Sequence, residues 1–312
     1  MAKTKEKSAV SQAGNHDIEN VGIYINLLTD FGFKRIFGIK EVMLHFLNTV
    51  LESEIQERIV DLHYDNTERL GITQYDRKAI YDLICTTERG ERIIVEMQAI
   101  WQEFYKDRIL FYTSYLIQGQ NVKGKDWDFR LHPVYSINIV NFPFDENSLS
   151  SEKYSTYVKL MDREAHRVFY DKLTFVYIEL PRFNKELNEL KTFFEKWMFI
   201  IRSLHELKDI PEVLQNEVFK KLFEEAKIAK MTKKEKTAYF YSLKNLSDMN
   251  IAQIEQNKLK QALAAKDDII AANNNALAVK DDIIAAKENA IVAKDIIIAE
   301  YRKRYGLLLE ND

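Results

Sequence analysis

The sequence is poor in cysteine, proline and glycine, and each shortage excludes a class of structure. The 312-residue chain has one cysteine, Cys85, which excludes an internal disulfide and a zinc site built on cysteines. Its nine glycines and four prolines are few for this length, and no proline follows Pro211. Because glycine and proline break helices, helices should dominate the last third of the chain.

Long apolar runs and a strong charge imbalance are also lacking. No window approaches the roughly 18 apolar residues of a membrane helix, so no membrane span is expected. Residues 1–20 are polar and lack the apolar stretch of a signal peptide, which indicates a loose tail and a cytoplasmic protein. The net charge is −3, and residues 1–225 carry 30 basic and 36 acidic side chains. A general nucleic-acid binder is more basic, so phosphate contacts would need a local basic strip or bound cations.

Apolar spacing predicts an α/β domain followed by helices. Apolar positions three and four residues apart predict an amphipathic helix over residues 33–51, and helical spacing returns at 105–120. Runs of β-branched and aromatic residues predict a three-stranded meander at 59–64, 79–87 and 92–99. A further strand is expected at 133–142, with one or two more at 167–169 and 174–180. From Lys185 onward the pattern is helical, with a capping box at Thr232 and Glu235 and another start at Ser247 or Asp248.

The C-terminal region contains an internal repeat of seven residues. KDDIIAA begins at Lys266 and again at Lys280, and related segments begin at Lys287 and Lys294. A sustained seven-residue repeat predicts a left-handed coiled coil. A second apolar column widens the face: Ile270, Leu277, Ile284, Ile291 and Ile298. We therefore expect homo-oligomerisation through this repeat; the alternative is that it folds back on the preceding helices.

Two acidic residues lie within the apolar runs of the predicted meander. If residues 88–90 form a three-residue hairpin loop with Gly90 in the left-handed conformation, then Asp82 lies directly opposite Glu96. Residues opposite each other share a sheet face with Cβ atoms about 5 Å apart. Gln98, two residues beyond Glu96, points to the same face. The three side chains should therefore converge.

Opposed carboxylates in apolar surroundings need a compensating charge. Mg²⁺ provides one, since it binds carboxylate oxygens, keeps several waters and bridges to substrate phosphates. Such a metal supports phosphodiester hydrolysis. The alternatives are a solvated sheet face, or arginines such as Arg92 or Arg77 that neutralise the pair.

The order of these motifs resembles the PD-(D/E)xK nuclease superfamily. Asp82, thirteen intervening residues and Glu96-Met97-Gln98 lie within a helix–strand–strand–strand–helix–strand order, and LLTDFGFKRIFG at residues 27–38 matches the opening motif. In particular, the chain is similar to the recombination-promoting nuclease (Rpn), or PD-(D/E)xK transposase-like, family. The resemblance covers residues from about 26 to the strands before Pro181.

This resemblance implies a restriction-endonuclease-like α/β core that cuts double-stranded DNA. Asp82 and Glu96 would be Mg²⁺ ligands, with Mn²⁺ as a substitute. The family's E-x-Q replaces the usual E-x-K of the superfamily, so Gln98 would stand in the place of that lysine. Glutamine carries no charge and cannot act as a proton-transfer base, so Gln98 could only orient water or a phosphate oxygen.

Two further pairs are candidate supporting residues. Lys34, four residues after Asp30, would either meet a phosphate or form an intrahelical ion pair with it. Arg108 and Tyr112 share a helix face with two more tyrosines and would either contact the DNA backbone or pack in the core.

Together these features predict a Mg²⁺-dependent DNA endonuclease involved in DNA mobility, recombination or defence against foreign DNA. Its expected parts are a tail (1–20), a nuclease-like domain (21–182), a helical extension (183–247) and a long coiled-coil helix (248–305). The alternative is a nuclease-fold binding or scaffold protein that has weak or no catalytic activity and assembles through its coil. The acidic front part and Gln98 favour that alternative.

Overall fold

A computed structural model describes residues 22–66, 68–69, 79–80, 82–120, 128–144 and 153–309 of the chain. The chain divides into two compact units, residues 1–250 and 251–312. The expected N-terminal tail and Arg77 lie outside the described residues.

Two helices replace the single helix predicted over residues 33–51. Helix α1 spans Asp30–Phe37 and helix α2 spans Lys40–Val50. The Thr29 hydroxyl caps the start of α1 by accepting from the Gly32 amide, 3.0 Å away, and the Gly38 amide closes its end by donating to the Lys34 carbonyl at 2.9 Å. Ile39 between the helices is extended, with φ −84° and ψ 113°. The prediction was wrong because the apolar spacing continues across this break.

A six-stranded sheet forms the centre of the first unit. Its strands are β1 Leu62–Tyr64, β4 Leu83–Thr87, β5 Arg92–Gln98, β6 Val134–Val140, β7 Ser155–Asp162 and β8 Arg167–Glu179. Across the sheet they lie in the order β1-β4-β5-β6-β8-β7. The predicted meander is confirmed, since β1, β4 and β5 pair antiparallel in turn. The strand predicted over 79–87 is interrupted, however: Ala79–Ile80 (β3) pairs instead with Glu68–Arg69 (β2).

Helix α3, Tyr105–Gln118, connects β5 to β6, and these two strands are parallel. β6 is also parallel to β8. The two short strands predicted at 167–169 and 174–180 are one strand, β8. Strand β7 was missed, because it lies at the edge of the sheet and the adjacent, exposed Leu160 and Met161 break the apolar–polar alternation that identifies a strand in sequence.

Helices cover both sheet faces. The larger cluster combines α1, α2, α4 (Phe193–Ser203) and α5 (Glu217–Glu225) with one face, around the fully buried Trp197. The Trp197 ring lies 5.7 Å from that of Phe37 and 5.3 Å from that of Phe46. On the other face, α3 packs against Ile84 and Ile94. Among the described residues, five short 3₁₀ helices lie at Leu180–Arg182, Leu187–Glu189, Leu204–Glu206, Glu212–Leu214 and Ile228–Lys230.

The last helix, α6, spans Lys233–Leu309. The predicted capping box is confirmed: the Glu235 amide donates to the Thr232 hydroxyl at 3.3 Å, and the Thr232 amide donates to the Glu235 carboxylate at 2.8 Å. A second helix start at Ser247 or Asp248 was wrongly predicted, since both residues lie inside α6. Across the described residues, no helix combines the length and the apolar character that a membrane span requires.

Candidate active site

The β4–β5 hairpin has the register that the sequence predicts. Gly90 adopts the left-handed conformation with φ 84°, and the Thr87 amide donates to the Glu91 carbonyl at 3.0 Å. Leu83 pairs with Val95, which places Asp82 opposite Glu96 at the end of the ladder. The predicted opposition of these two acids is confirmed.

Backbone amides hold both carboxylates in place. The Asp82 amide donates to Glu96 Oε1 at 3.2 Å, and the Met97 amide donates to Asp82 Oδ2 at 2.8 Å. Each acid is thus tied to the strand of the other. Within the described part of the chain, the second oxygen of each carboxylate accepts no hydrogen bond from another residue.

The surroundings disfavour two ionised carboxylates. The Glu96 residue is only 5% exposed, and Asp82 is half-buried. Burial raises the pKa of Glu96, and the charge of Asp82 raises it further. Burial also raises the pKa of Asp82, against the opposing effect of the Met97 amide. A positive charge near the pair would therefore stabilise its ionised form. The pair does not lie on a solvated sheet face.

Two cations lie close enough to oppose these shifts partly. Although burial dominates, both Lys34 and Arg108 lower the pKa of each acid. Lys34 is shared with Asp30, whose Oδ1 lies 2.6 Å from its Nζ, so the intrahelical ion pair considered for these residues is present. Arg92 is not a partner of the pair, because its Nη1 contacts Asp65 Oδ2 at 3.4 Å.

Gln98 is tied to Arg108. Its Nε2 donates to the Ile100 carbonyl at 2.8 Å, and its Oε1 accepts from Arg108 Nη2 at 2.6 Å. The other terminal nitrogen of Arg108 donates to Gln102 Oε1. Sequence analysis missed Gln102, since nothing in a strand or helix pattern distinguishes a glutamine in a loop.

The tyrosines of helix α3 mainly pack. Tyr105 is 3% exposed, and its hydroxyl lies 3.4 Å from Asn138 Oδ1 in the core. The Arg108 guanidinium lies 5.0 Å from the Tyr105 ring centre and 5.8 Å from that of Tyr112. The helix face thus combines packing aromatics with one arginine, whose guanidinium donates to Gln98 and Gln102.

A groove of about 240 Å³ opens beside Asp82. Asp30, Asp82 and Gln98 line one part of it, and Ser242 and Asn245 from the first turns of α6 line another. The sequence did not reveal the α6 residues, because their proximity depends on long-range packing: the Phe31 amide, for example, donates to the Ser242 hydroxyl at 3.2 Å.

The donor set suits a hard divalent cation. Both acids offer oxygen, the ligand atom that Mg²⁺ and Mn²⁺ prefer. The described ranges contain no cluster of three or more acidic, histidine or cysteine side chains that could enclose a metal. A cation held by two carboxylates would complete its coordination with water or phosphate oxygens, as Mg²⁺ commonly does.

Comparison with known proteins identifies the family of this chain. No match was found among curated proteins or among solved structures. A family model described as PD-(D/E)XK nuclease family transposase matches residues 27–256, a span that begins before α1 and ends within α6. This span includes both opposed acids, both cations and the α6 wall of the groove. As it also covers far more than half of the chain, the protein belongs to the PD-(D/E)XK nuclease family transposases.

Proposed function

We propose that this family member is a divalent-metal-dependent DNA endonuclease. Asp82 and Glu96 would hold Mg²⁺, or Mn²⁺ in its place, beside a phosphate of double-stranded DNA. Family membership supports a nuclease-type function. The observation that carries the finer proposal is the buried pair of opposed carboxylates, each fixed by one backbone amide. Such an arrangement costs stability without a cation and gains it when a cation binds.

The chain's own residues would bind and orient the substrate around this pair. A bound metal would supply Lewis acidity and lower the pKa of a coordinated water. Lys34 could exchange its ion pair with Asp30 for a phosphate, because that pair is partly exposed. Ser242 and Asn245 offer hydroxyl and amide donors along the groove, which suit contacts to the DNA backbone.

A plasmid cleavage assay tests this function. Supercoiled DNA is incubated with the protein and Mg²⁺ or Mn²⁺, and the variants Asp82→Asn and Glu96→Gln are compared with wild type. Both keep an oxygen that accepts the observed amide while they remove the charge, so we expect cleavage to fall by at least about 100-fold. The matched control is Glu88→Gln, a carboxylate in the loop at the other end of the same hairpin. Nicking that persists in both site variants would reject the proposed site.

We further propose that the C-terminal repeat assembles at least two copies. In the unit of residues 251–312, apolar side chains such as Ile284 and Ile291 are 53% and 58% exposed. A soluble helix with such an apolar face normally pairs with another. Two nuclease sites in one assembly could then cut both DNA strands.

Sedimentation velocity of the intact chain tests assembly. Wild type should sediment at no less than twice the chain mass of 36.8 kDa. Ile284→Asp with Ile291→Asp should shift it to the monomer, whereas Asn275→Asp with Asn289→Asp adds the same charge at polar repeat positions and should not. A monomeric wild type would refute assembly through the repeat.

A scaffold function is the second candidate, and Gln98 favours it. A site that lacks the superfamily's lysine could have lost its chemistry while the fold and the repeat persist. In that case wild type would form oligomers and bind DNA but leave plasmid intact with either metal. Cleavage that depends on Asp82 and Glu96 would exclude this candidate. By family, the proposed setting is DNA mobility, recombination or defence against foreign DNA.

A further inference from the structure

The third position of the family motif is neutral in this chain. The PD-(D/E)XK superfamily is named for a lysine, whereas this chain has Gln98. Both ends of the Gln98 amide are already engaged, one with the Ile100 carbonyl and the other with Arg108. Gln98 is therefore poorly placed to orient a water molecule directly. Its carbonyl oxygen instead fixes a guanidinium next to the two acids.

The Arg108 guanidinium is held by hydrogen bonds and by aromatic rings. Its two terminal nitrogens donate to Gln98 and Gln102, and the rings of Tyr105 and Tyr112 flank its guanidinium. Its Nε is buried and has no hydrogen-bond partner among the described residues. A buried donor without a partner costs free energy, which suggests that a ligand oxygen or water completes the site.

We propose that Arg108 supplies the positive charge of the active site from helix α3, and that Gln98 and Gln102 are the positioning residues that aim it at the phosphate under attack. This inference rests on the proposed nuclease function. It assigns to a helix the positive charge that the superfamily's E-x-K motif assigns to the strand.

The proposed chemistry needs a cation but no proton from Arg108. The oxygen of a water molecule bonds to phosphorus while one P–O ester bond breaks. One water proton ends on the released sugar hydroxyl, and the other stays on the phosphate or passes to solvent. Negative charge grows on the phosphoryl oxygens during this step, and a guanidinium stabilises it by donating hydrogen bonds while it stays protonated.

Exchange of the two residues is the sharpest test. Arg108→Gln should reduce the rate constant of plasmid cleavage by about 100-fold with little change in DNA affinity. Gln98→Lys introduces the lysine of the superfamily motif, yet it should reduce cleavage by about 10-fold or more, because an ammonium would meet the guanidinium. The double variant Gln98→Lys with Arg108→Gln should recover to within about 10-fold of wild type. Arg92→Gln removes an arginine of the same sheet and serves as the matched control.

Mn²⁺ binding without DNA gives a readout that a structural role would not move. Loss of the positive charge near the acids should make Mn²⁺ bind about 10-fold more tightly to Arg108→Gln, measured by calorimetry. Arg108→Lys should keep wild-type affinity, and thermal unfolding confirms that each variant is folded.

The outcomes separate this inference from the proposed function. Arg108→Gln that cleaves like wild type, or that loses cleavage with unchanged Mn²⁺ affinity, would overturn the role of Arg108 while leaving the nuclease intact. A wild type that never cleaves would overturn the nuclease and with it Arg108's role in hydrolysis. Tighter Mn²⁺ binding by the variant would then still support Arg108 as the charge of the site.

Discussion

The opposed acids predict that loss of one charge stabilises the metal-free protein. Glu96→Gln keeps the size of the side chain and an oxygen that can accept the Asp82 amide. It removes one of two like charges that lie opposite each other, about 5 Å apart at Cβ. At an effective dielectric constant of about 20, two unit charges at this distance repel by about 3 kcal/mol. Lys34 and Arg108 offset part of this repulsion, so we expect a gain of about 1–2 kcal/mol in the free energy of unfolding.

The gain should depend on pH in a defined direction. Burial and Asp82 raise the pKa of Glu96 above its ordinary value of 4.5. Below that value Glu96 is protonated in both the folded and the unfolded chain, so the variant and wild type should be equally stable. As the pH rises, the unfolded chain releases its proton first, and wild type loses stability until the pH passes the raised folded-state pKa. The advantage of Glu96→Gln should therefore grow from pH 4.5 upward and then level off.

Thermal unfolding in EDTA, followed across this pH range, measures the effect. For a domain of this size, each kcal/mol corresponds to about 2–4 °C in Tm. Glu88→Gln provides a control of opposite sign: burial raises the Glu88 pKa, but backbone amides outweigh it and lower the pKa, so loss of that carboxylate should destabilise at neutral pH. Saturating Mn²⁺ should stabilise wild type more than Glu96→Gln. If Glu96→Gln is less stable than wild type at pH 8 without metal, the acids do not repel as argued.

Two further predictions concern the hairpin and the last helix. Gly90→Ala should lower the free energy of unfolding by about 1–2 kcal/mol, because a residue with a Cβ is strained at φ 84°. Urea unfolding measures this free energy, and an unchanged value would show that the loop can relax. Thr232→Ala should lower the free energy of unfolding by about 1 kcal/mol, because the Glu235 amide loses its cap. Thr232→Ser keeps a hydroxyl and should retain most of that stability. Equal losses in the two Thr232 variants would contradict the capping explanation.

Sequence predicted those parts of the site that depend on local geometry. One left-handed glycine fixed the hairpin loop, the loop fixed the register, and the register placed Asp82 opposite Glu96. The capping box at Thr232 was equally local. The break between α1 and α2 escaped detection, because an extended Ile39 leaves the apolar spacing of its neighbours undisturbed. Strand β7 escaped because it is an exposed edge strand, in which the adjacent Leu160 and Met161 break the alternation that strands usually show.

The role of Gln98 shows where such prediction ends. Its position on the sheet face follows from strand alternation, but its bonding follows from the packing of α3, which no short-range pattern encodes. A glutamine in the place of a lysine indicates a weakened site when only the strand is considered. With α3 in place, its carbonyl oxygen holds Arg108 beside the same two acids. The charge of a site depends on all the residues that surround it and not on one motif position alone. A neutral residue within a motif is therefore compatible with a cationic site.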